Sequence, residues 1–356
     1  MKKVYIKAYL AYNFGDDLFV HIFCNRYKNV EYQMMTKFGY PSNIFGKNVK
    51  LINQKDVKFI NKIVRLLTLK NNSYENILMK KNDMTLVIGG SMFMEKNTSP
   101  SKYFVGGGKD YYIIGSNFGP YQTNEYYNKF YNVFKDAKDV CFREKYSYDL
   151  FSDLDSVRVA PDIVFSLDVS SIKITDSKNV VISVIDCEKK MDVKYKDKYE
   201  DKIIELIKYF DNRGYGVTLM SFCKLEGDEE AISSIISKIS DDTLKEKVKT
   251  YFYKGNIKEA LDVIGGSQIV VGSRFHANIL GLVMNKTVIP MAYSDKTINV
   301  LNDCNFEGKI IDIRELDNFD INELNDDDLK YKLDVSKQIQ EASRHFEKLD
   351  LVLERK

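Results

Sequence analysis

The amino-acid sequence predicts an α/β protein built from two Rossmann-like, doubly wound domains and a helical tail. Three observations predict it. The second half alternates strand and helix signals without a break, which implies a parallel sheet with helices on both faces. Glycine-rich turns stand at the ends of apolar strand runs, where open α/β sheets bind their ligands. A chain of 356 residues also exceeds what one ordinary core organises, so two domains are expected.

The first half opens with a strand signal, "VYIKAYLAY" (4–12). It runs into "NFGDD" (13–17) and the helix signal "LFVHIFCNRY" (18–27). "MTLVIGG" (84–90) and "YYIIGSNFGP" (111–120) are strands ending in glycine turns, and "DVCFRE" (139–144) is a strand followed by the helix "YSYDLF". A Ser/Asp/Lys-rich stretch, 168–178, loses the apolar pattern and is expected to be a linker. In the second half "NVVISVID" (179–186) is a short Val/Ile-rich run that reads as a buried strand. A helix over 198–213 places Ile203, Ile204, Leu206, Ile207 and Phe210 on one stripe and stops at Gly214. "GVTLMSF", "KTYFY", "QIVVGS" and "TVIPMAY" are the later strands. The helices between and after them are "GDEEAISSIISKI", "IKEALDVIG", "HANILGLVMN" and "KTINVLND". The acidic start of "GDEE" suits a helix N-terminus. The expected division is an N-terminal domain over 1–168, a C-terminal domain over 178–325 and a separate helical tail over 326–356, with the site in a cleft between the domains.

Composition narrows the function classes. With 44% hydrophobic and 29% charged residues the chain reads as soluble and globular. Its 53 basic and 51 acidic residues nearly cancel, which argues against a nucleic-acid partner. Five scattered cysteines without a CxxC pair read as reduced thiols, with no zinc site or disulfide framework and no metal. "MKKVYIKAYLAY" lacks the apolar run of a signal peptide, and no run of 18 apolar residues occurs. A cytoplasmic location is therefore expected. The stretch 47–70, "KNVKLINQKDVKFINKIVRLLTLK", carries seven basic residues and one acid around an apolar stripe. It is expected to form a helix, packed on its own sheet or lying peripherally on the inner face of an anionic membrane.

The chemistry is expected at the strand ends. There the candidates are Asn13, Gly15 and Asp16; Gly89 and Gly90; Asn117; Arg143; Ser273, Arg274 and His276; Tyr293 and Lys296. Arg143, Arg274 and Lys296 make a set suited to an anion bearing phosphate or carboxylate. The chain has only three histidines, and His276 stands at a predicted helix start, two residues after Arg274. A helix N-terminus favours bound anions, and the same dipole end disfavours an imidazolium, which suits a ring that exchanges protons. Arg274 is expected in the turn before the helix with its fork open, or else in a surface ion pair. Asp17 and Glu144 are further carboxylates without paired-site spacing, and "VGGGKD" (105–110) lacks the spacing of a phosphate loop. His345 falls in the charged tail and is expected to be solvated.

In order along the chain, "NFGDDL", "VIGGSMF", "IGSNFGPY", "CFREKYSYDLF", "APDIVFSL" and "GSRFHANILGLVMNKTVIPMAYSDKTINVL" resemble the motifs of the polysaccharide pyruvyl transferase family, from about Asn13 to Asp303. The resemblance implies a GT-B-like fold. It also implies transfer of the enolpyruvyl unit of phosphoenolpyruvate, as a ketal, to a sugar of a capsular, exopolysaccharide or cell-wall glycan precursor, with no cofactor beyond that donor. Arg274 and His276 match the donor-site pair, with Arg274 on the anion and His276 in acid/base work or holding the leaving phosphate. Arg143 and Lys296 are second candidates for the anion. Asn13, Gly15 and Asp16 are implied on the acceptor side, facing a saccharide that is often lipid-linked. Where many relatives carry an arginine after the first C-terminal strand, this chain has Asp186 and Cys187. A divergent transferase, a nucleotide-sugar glycosyltransferase and a non-catalytic binding protein therefore stay open.

Overall fold

The structure is a computed structural model that describes residues 1–41, 43–68, 73–95 and 110–353. Lys70 and the glycines of "VGGGKD" lie outside the described residues. The chain divides into two compact units, one of Met1–Ala11, Asp16–Ser166 and Gln340–Lys356, the other of Tyr12–Gly15 and Leu167–Ile339.

Among the described residues the first unit holds seven parallel strands: β1 (Lys3–Lys7), β2 (Glu31–Thr36), β3 (Val49–Asn53), β4 (Met84–Ile88), β5 (Tyr111–Ser116), β6 (Asp139–Phe142) and β7 (Val157–Val159). Their order is β3-β2-β1-β4-β5-β6-β7. The order reverses at the β1–β4 pair, where Val4 stands opposite Met84. β4 is buried along its whole length, as its apolar run requires. One core of this unit is largely aromatic, with Phe93, Phe118, Phe130, Phe134, Phe142 and Phe151 in contact. Phe118 and Phe151 meet edge to face at 4.9 Å.

The second unit repeats the topology. β8 (Asn179–Ser183), β9 (Gly216–Ser221), β10 (Lys249–Phe252), β11 (Ile269–Gly272), β12 (Thr287–Ala292) and β13 (Ile311–Asp312) lie in the order β10-β9-β8-β11-β12-β13. Again the order reverses where the first strand of the sheet meets the fourth, here β8 and β11. The helix Lys196–Asn212 buries Ile203, Leu206, Ile207 and Phe210, the stripe read from the sequence.

Several expectations need correction. β1 ends at Lys7 rather than Tyr12, and Tyr12 sits in the left-handed region at φ 51°. The first helix, Phe14–Arg26, begins inside the "NFGDD" turn, whose Asn13 side chain accepts the Gly15 N–H at 3.1 Å. The stretch 47–70 is not one helix: it supplies β3 and then the helix Lys58–Thr68. β2 was not anticipated either; it buries Tyr32, Met34 and Thr36, with Gln33 and Met35 half-buried between them. The stretch 168–178 is not a free linker, since Thr175 donates to Gly265 and accepts from the Lys286 ammonium. Nor is the tail separate. Residues up to Ile339 stay with the second unit, while Gln340 onward belongs to the first. There Phe346, Leu349 and Leu353 are buried, and Asp350 receives Arg26 Nη2 and Tyr27 OH, each at 2.6 Å. His345, expected in solvent, is fully buried in that packing. None of the described helices is long and apolar enough to cross a membrane.

Candidate active site

A doubly wound sheet opens a ligand crevice at the carboxyl ends of the two strands where its order reverses. In the second unit those are β8 and β11, ending at Ser183 and Gly272. The stretch that follows β11 is Ser273-Arg274-Phe275-His276, so the pair singled out in the sequence sits at the crevice position of its own sheet. The helix Phe275–Val283 starts between the two, as the spacing predicts. Ser183 fixes the turn, its Oγ accepting the Arg274 N–H at 3.0 Å and its carbonyl the Ser273 N–H at 3.3 Å. Tyr199 OH and Ser273 Oγ lie 2.8 Å apart, and Tyr199 also accepts the Ile185 N–H.

Arg274 is not an open fork. Its side chain is 7% exposed, and its Nε donates to Asp228 at 3.0 Å while its Nη groups bind Asp228 and Glu226. Asp228 also accepts the N–H groups of Phe222 and Cys223, at 2.8 and 2.9 Å. Burial pushes the Asp228 carboxyl above its ordinary value, against the pull of the guanidinium and the two amides. Burial would raise Glu226 as well, but the Arg274 and Lys190 cations hold it below the usual range, with Lys190 Nζ at 2.6 Å. Arg274 thus sits in an ion pair, the alternative the sequence left open, though a buried one rather than a surface one. Two internal carboxylates occupy it, and it ties the turn after β11 to the start of the helix Asp228–Lys238. Asp186 caps the short helix Cys187–Lys190 by accepting the N–H groups of Glu188 and Lys189.

His276 is half-buried at the start of its helix. Its Nδ1 side lies against Gly15: a Cβ there would stand 1.9 Å from Nδ1. Asn13 and Gly15, expected on the N-terminal side, group instead with the second unit. Asn13 bridges to Cys223, the Phe14 N–H reaches the Phe222 carbonyl at 3.0 Å, and the Phe14 ring packs on Phe222 and Tyr253. Tyr293 is half-buried just after β12. Lys296 is half-buried on the helix Asp295–Asp303.

In the first unit the switch-point strands are β1 and β4, and the motifs after β4, β5 and β6 meet. Gly90 passes so close to Arg143 that a Cβ would stand 2.6 Å from Nη1. Arg143 donates to Asp162 at 2.9 Å and to Asn117 at 2.8 Å, with its side chain 2% exposed. Glu144 accepts the Ser147 hydroxyl, which in turn accepts the Phe118 N–H. Ser116 Oγ donates to the Gly89 carbonyl at 2.7 Å. Arg143 is likewise paired inside its own unit, and it joins the turn after β6 to those after β5 and β7. Asp16 is half-buried on the Gly89 side, and Asp17 is buried and accepts Tyr40 OH at 3.0 Å.

Sequence reasoning missed Asp228, Glu226, Ser183 and Tyr199. Asp228 had a signal, a Gly-Asp pair at a strand-to-helix turn, which was read only as complement to a helix dipole. The other three carry none, because they join the site through strand order rather than spacing.

Residues 13–295 match the model of a family described as polysaccharide pyruvyl transferase. The amylovoran biosynthesis protein AmsJ of Erwinia amylovora is 21% identical over 266 residues, 67% of this chain, and the chain spans 63% of that protein's length. Among solved structures, HepE of Anabaena in complex with UDP and glucose aligns with a TM-score of 0.59 at 12% identity, over 99% of this chain and 97% of its own. A glycosyltransferase from Rickettsia africae aligns at 0.52 and 13% identity, over 99% and 95%. These likenesses concern the fold, which is the GT-B-like class of two doubly wound domains.

Proposed function

We propose a reaction for this chain, which belongs to the polysaccharide pyruvyl transferase family. In it the three carbons of phosphoenolpyruvate pass to two hydroxyls of one sugar as a pyruvate ketal, on a glycan precursor in the cytoplasm. The balance is simple. The methylene carbon takes one proton, both sugar oxygens bond to the central carbon, the bond from that carbon to the phosphate oxygen breaks, and phosphate leaves with the other hydroxyl proton. Membership of the family supports a transferase acting on polysaccharide, and that activity, the donor and the ketal together are the proposal.

The observation behind this reading is His276, pressed on Gly15 at the start of a helix and at the strand ends where the sheet order reverses. In the proposed step it takes a proton from an acceptor hydroxyl and returns one to the methylene carbon. Helix N–H groups and Lys296 face the donor's anionic groups. Arg274 acts through Glu226 and Asp228 as a positioning residue. Asn13 and Asp16 are assigned to the acceptor.

Thermal shift of the full chain with phosphoenolpyruvate, uridine diphosphate and inorganic phosphate tests it. A ligand at 100 times its Kd adds about 2.7 kcal/mol. Phosphoenolpyruvate should raise Tm, and His276→Ala should keep that shift while losing phosphate release, since a general acid/base is worth about 10²–10⁴ in rate. Stabilisation by uridine diphosphate and none by phosphoenolpyruvate would instead make the chain a nucleotide-sugar glycosyltransferase.

A further inference from the structure

The helix Lys58–Thr68 turns its apolar side away from its own unit. Phe59 is 73% exposed, Leu66 70%, Ile60 41% and Ile63 40%. Phe59, Ile63 and Leu66 are spaced i, i+4 and i+7, so they share one face. The opposite side faces inward: Val57, just before the helix, is buried, and Asn61 Oδ1 accepts the Tyr74 N–H at 2.7 Å. A surface helix ordinarily buries its apolar stripe. This one exposes it.

The charge beside the stripe has one sign. Lys37, Lys55, Lys58 and Lys62 line a groove along the helix. They and Lys47 and Lys50 are exposed, and no ion pair among the described residues involves any of the six. Asp56 is the single acid between residues 47 and 70. A second copy of the chain would bring the same lysines against these and repel. A surface with an apolar interior and anionic headgroups satisfies both halves of the pattern. We propose that the Lys58–Thr68 helix is a membrane-docking element: Phe59, Ile60, Ile63 and Leu66 enter the headgroup–acyl boundary of an anionic bilayer, and the lysine groove takes lipid phosphates. The docking is independent of the reaction proposed above.

The chain has no tryptophan, so Phe59→Trp introduces a single reporter into an otherwise wild-type protein. Its emission should shift to the blue with vesicles of phosphatidylglycerol and phosphatidylcholine, and stay unshifted with phosphatidylcholine alone. Flotation should show the same preference, weakening at about 1 M salt, where screening acts within about 3 Å. Each lysine near an anionic surface is worth about five-fold in binding. Lys55→Gln, Lys58→Gln and Lys62→Gln together should therefore lower the partition roughly a hundred-fold. Phe59→Ser with Leu66→Ser should lower it at least ten-fold. Urea melts identify a variant that fails to fold, in which case the Phe59→Trp emission decides. An unshifted reporter, equal binding to neutral vesicles, or a concentration-dependent dimer that Phe59→Ser with Leu66→Ser abolishes would each overturn the proposal.

Discussion

Gly15 and His276 pack tightly in the site, and their chemistry makes the contact testable without a substrate. Near a helix start Gly→Ala ordinarily stabilises, by up to about 1 kcal/mol. Here the added methyl meets the imidazole at 1.9 Å, and forcing atoms into a packed position costs about 1–3 kcal/mol. Gly15→Ala should therefore destabilise the protein in urea, and in a His276→Ala background it should be neutral or stabilising. The two substitutions couple if the ring lies where the structure has it. Strictly additive effects would remove His276 from Gly15 and weaken the role proposed for it. The sequence marked both residues as candidates, but their contact could not be read from numbers 261 apart. It exists because residues 12–15 pair with the Phe222–Cys223 turn.

At the scale of elements, the two arginines picked out as anion binders turn out to join strand ends. Arg274 links the turn after β11 to the helix Asp228–Lys238, and Arg143 links the turn after β6 to those after β5 and β7. A sequence shows that an arginine stands at a strand end, not whether its partner is a ligand or a carboxylate from a neighbouring turn. Arg274→Met keeps the volume and strands Asp228, which is fully buried, without its countercharge. Removing one partner of such a pair costs about 3–5 kcal/mol, so the urea midpoint should fall sharply. Adding Asp228→Asn should recover part of that loss. If Arg274→Met were as stable as the parent and lost only donor binding, the arginine would be a ligand residue after all. The basic stretch 47–70 teaches the same lesson in reverse. Its amphipathic pattern was legible, but only the fold shows that the apolar side faces outward.

At the scale of the whole molecule, the chain's last segment returns to the first unit and carries a pH response with it. His345 Nε2 lies 2.7 Å from the Pro161 carbonyl. Burial, with Arg158, Arg143 and Arg344 nearby, pushes its pKa down to about 3. In the unfolded chain the ring titrates near 6.5. Between those values the unfolded state holds one proton more, so stability is lost as pH falls below about 6.5, at close to 1.4 kcal/mol per pH unit. Urea unfolding between about pH 6.5 and 4.5 should show this slope in the parent. It should be shallower in His345→Gln, whose amide can still donate to Pro161. Equal slopes would mean that the ring titrates normally.

The sequence by itself determined the two doubly wound halves, the buried strand β8, the strands β4 and β11, the helix that starts at Phe275, and the family. Each of these is written in local periodicity or in motifs a few residues long. Only the tertiary structure decided that residues 12–15 complete the second unit, that residues 340–356 complete the first, and that Arg274 and Arg143 each meet a buried carboxylate of their own unit. Those outcomes depend on which distant groups meet once the strands are ordered, and a buried charge takes whatever partner that ordering brings within reach.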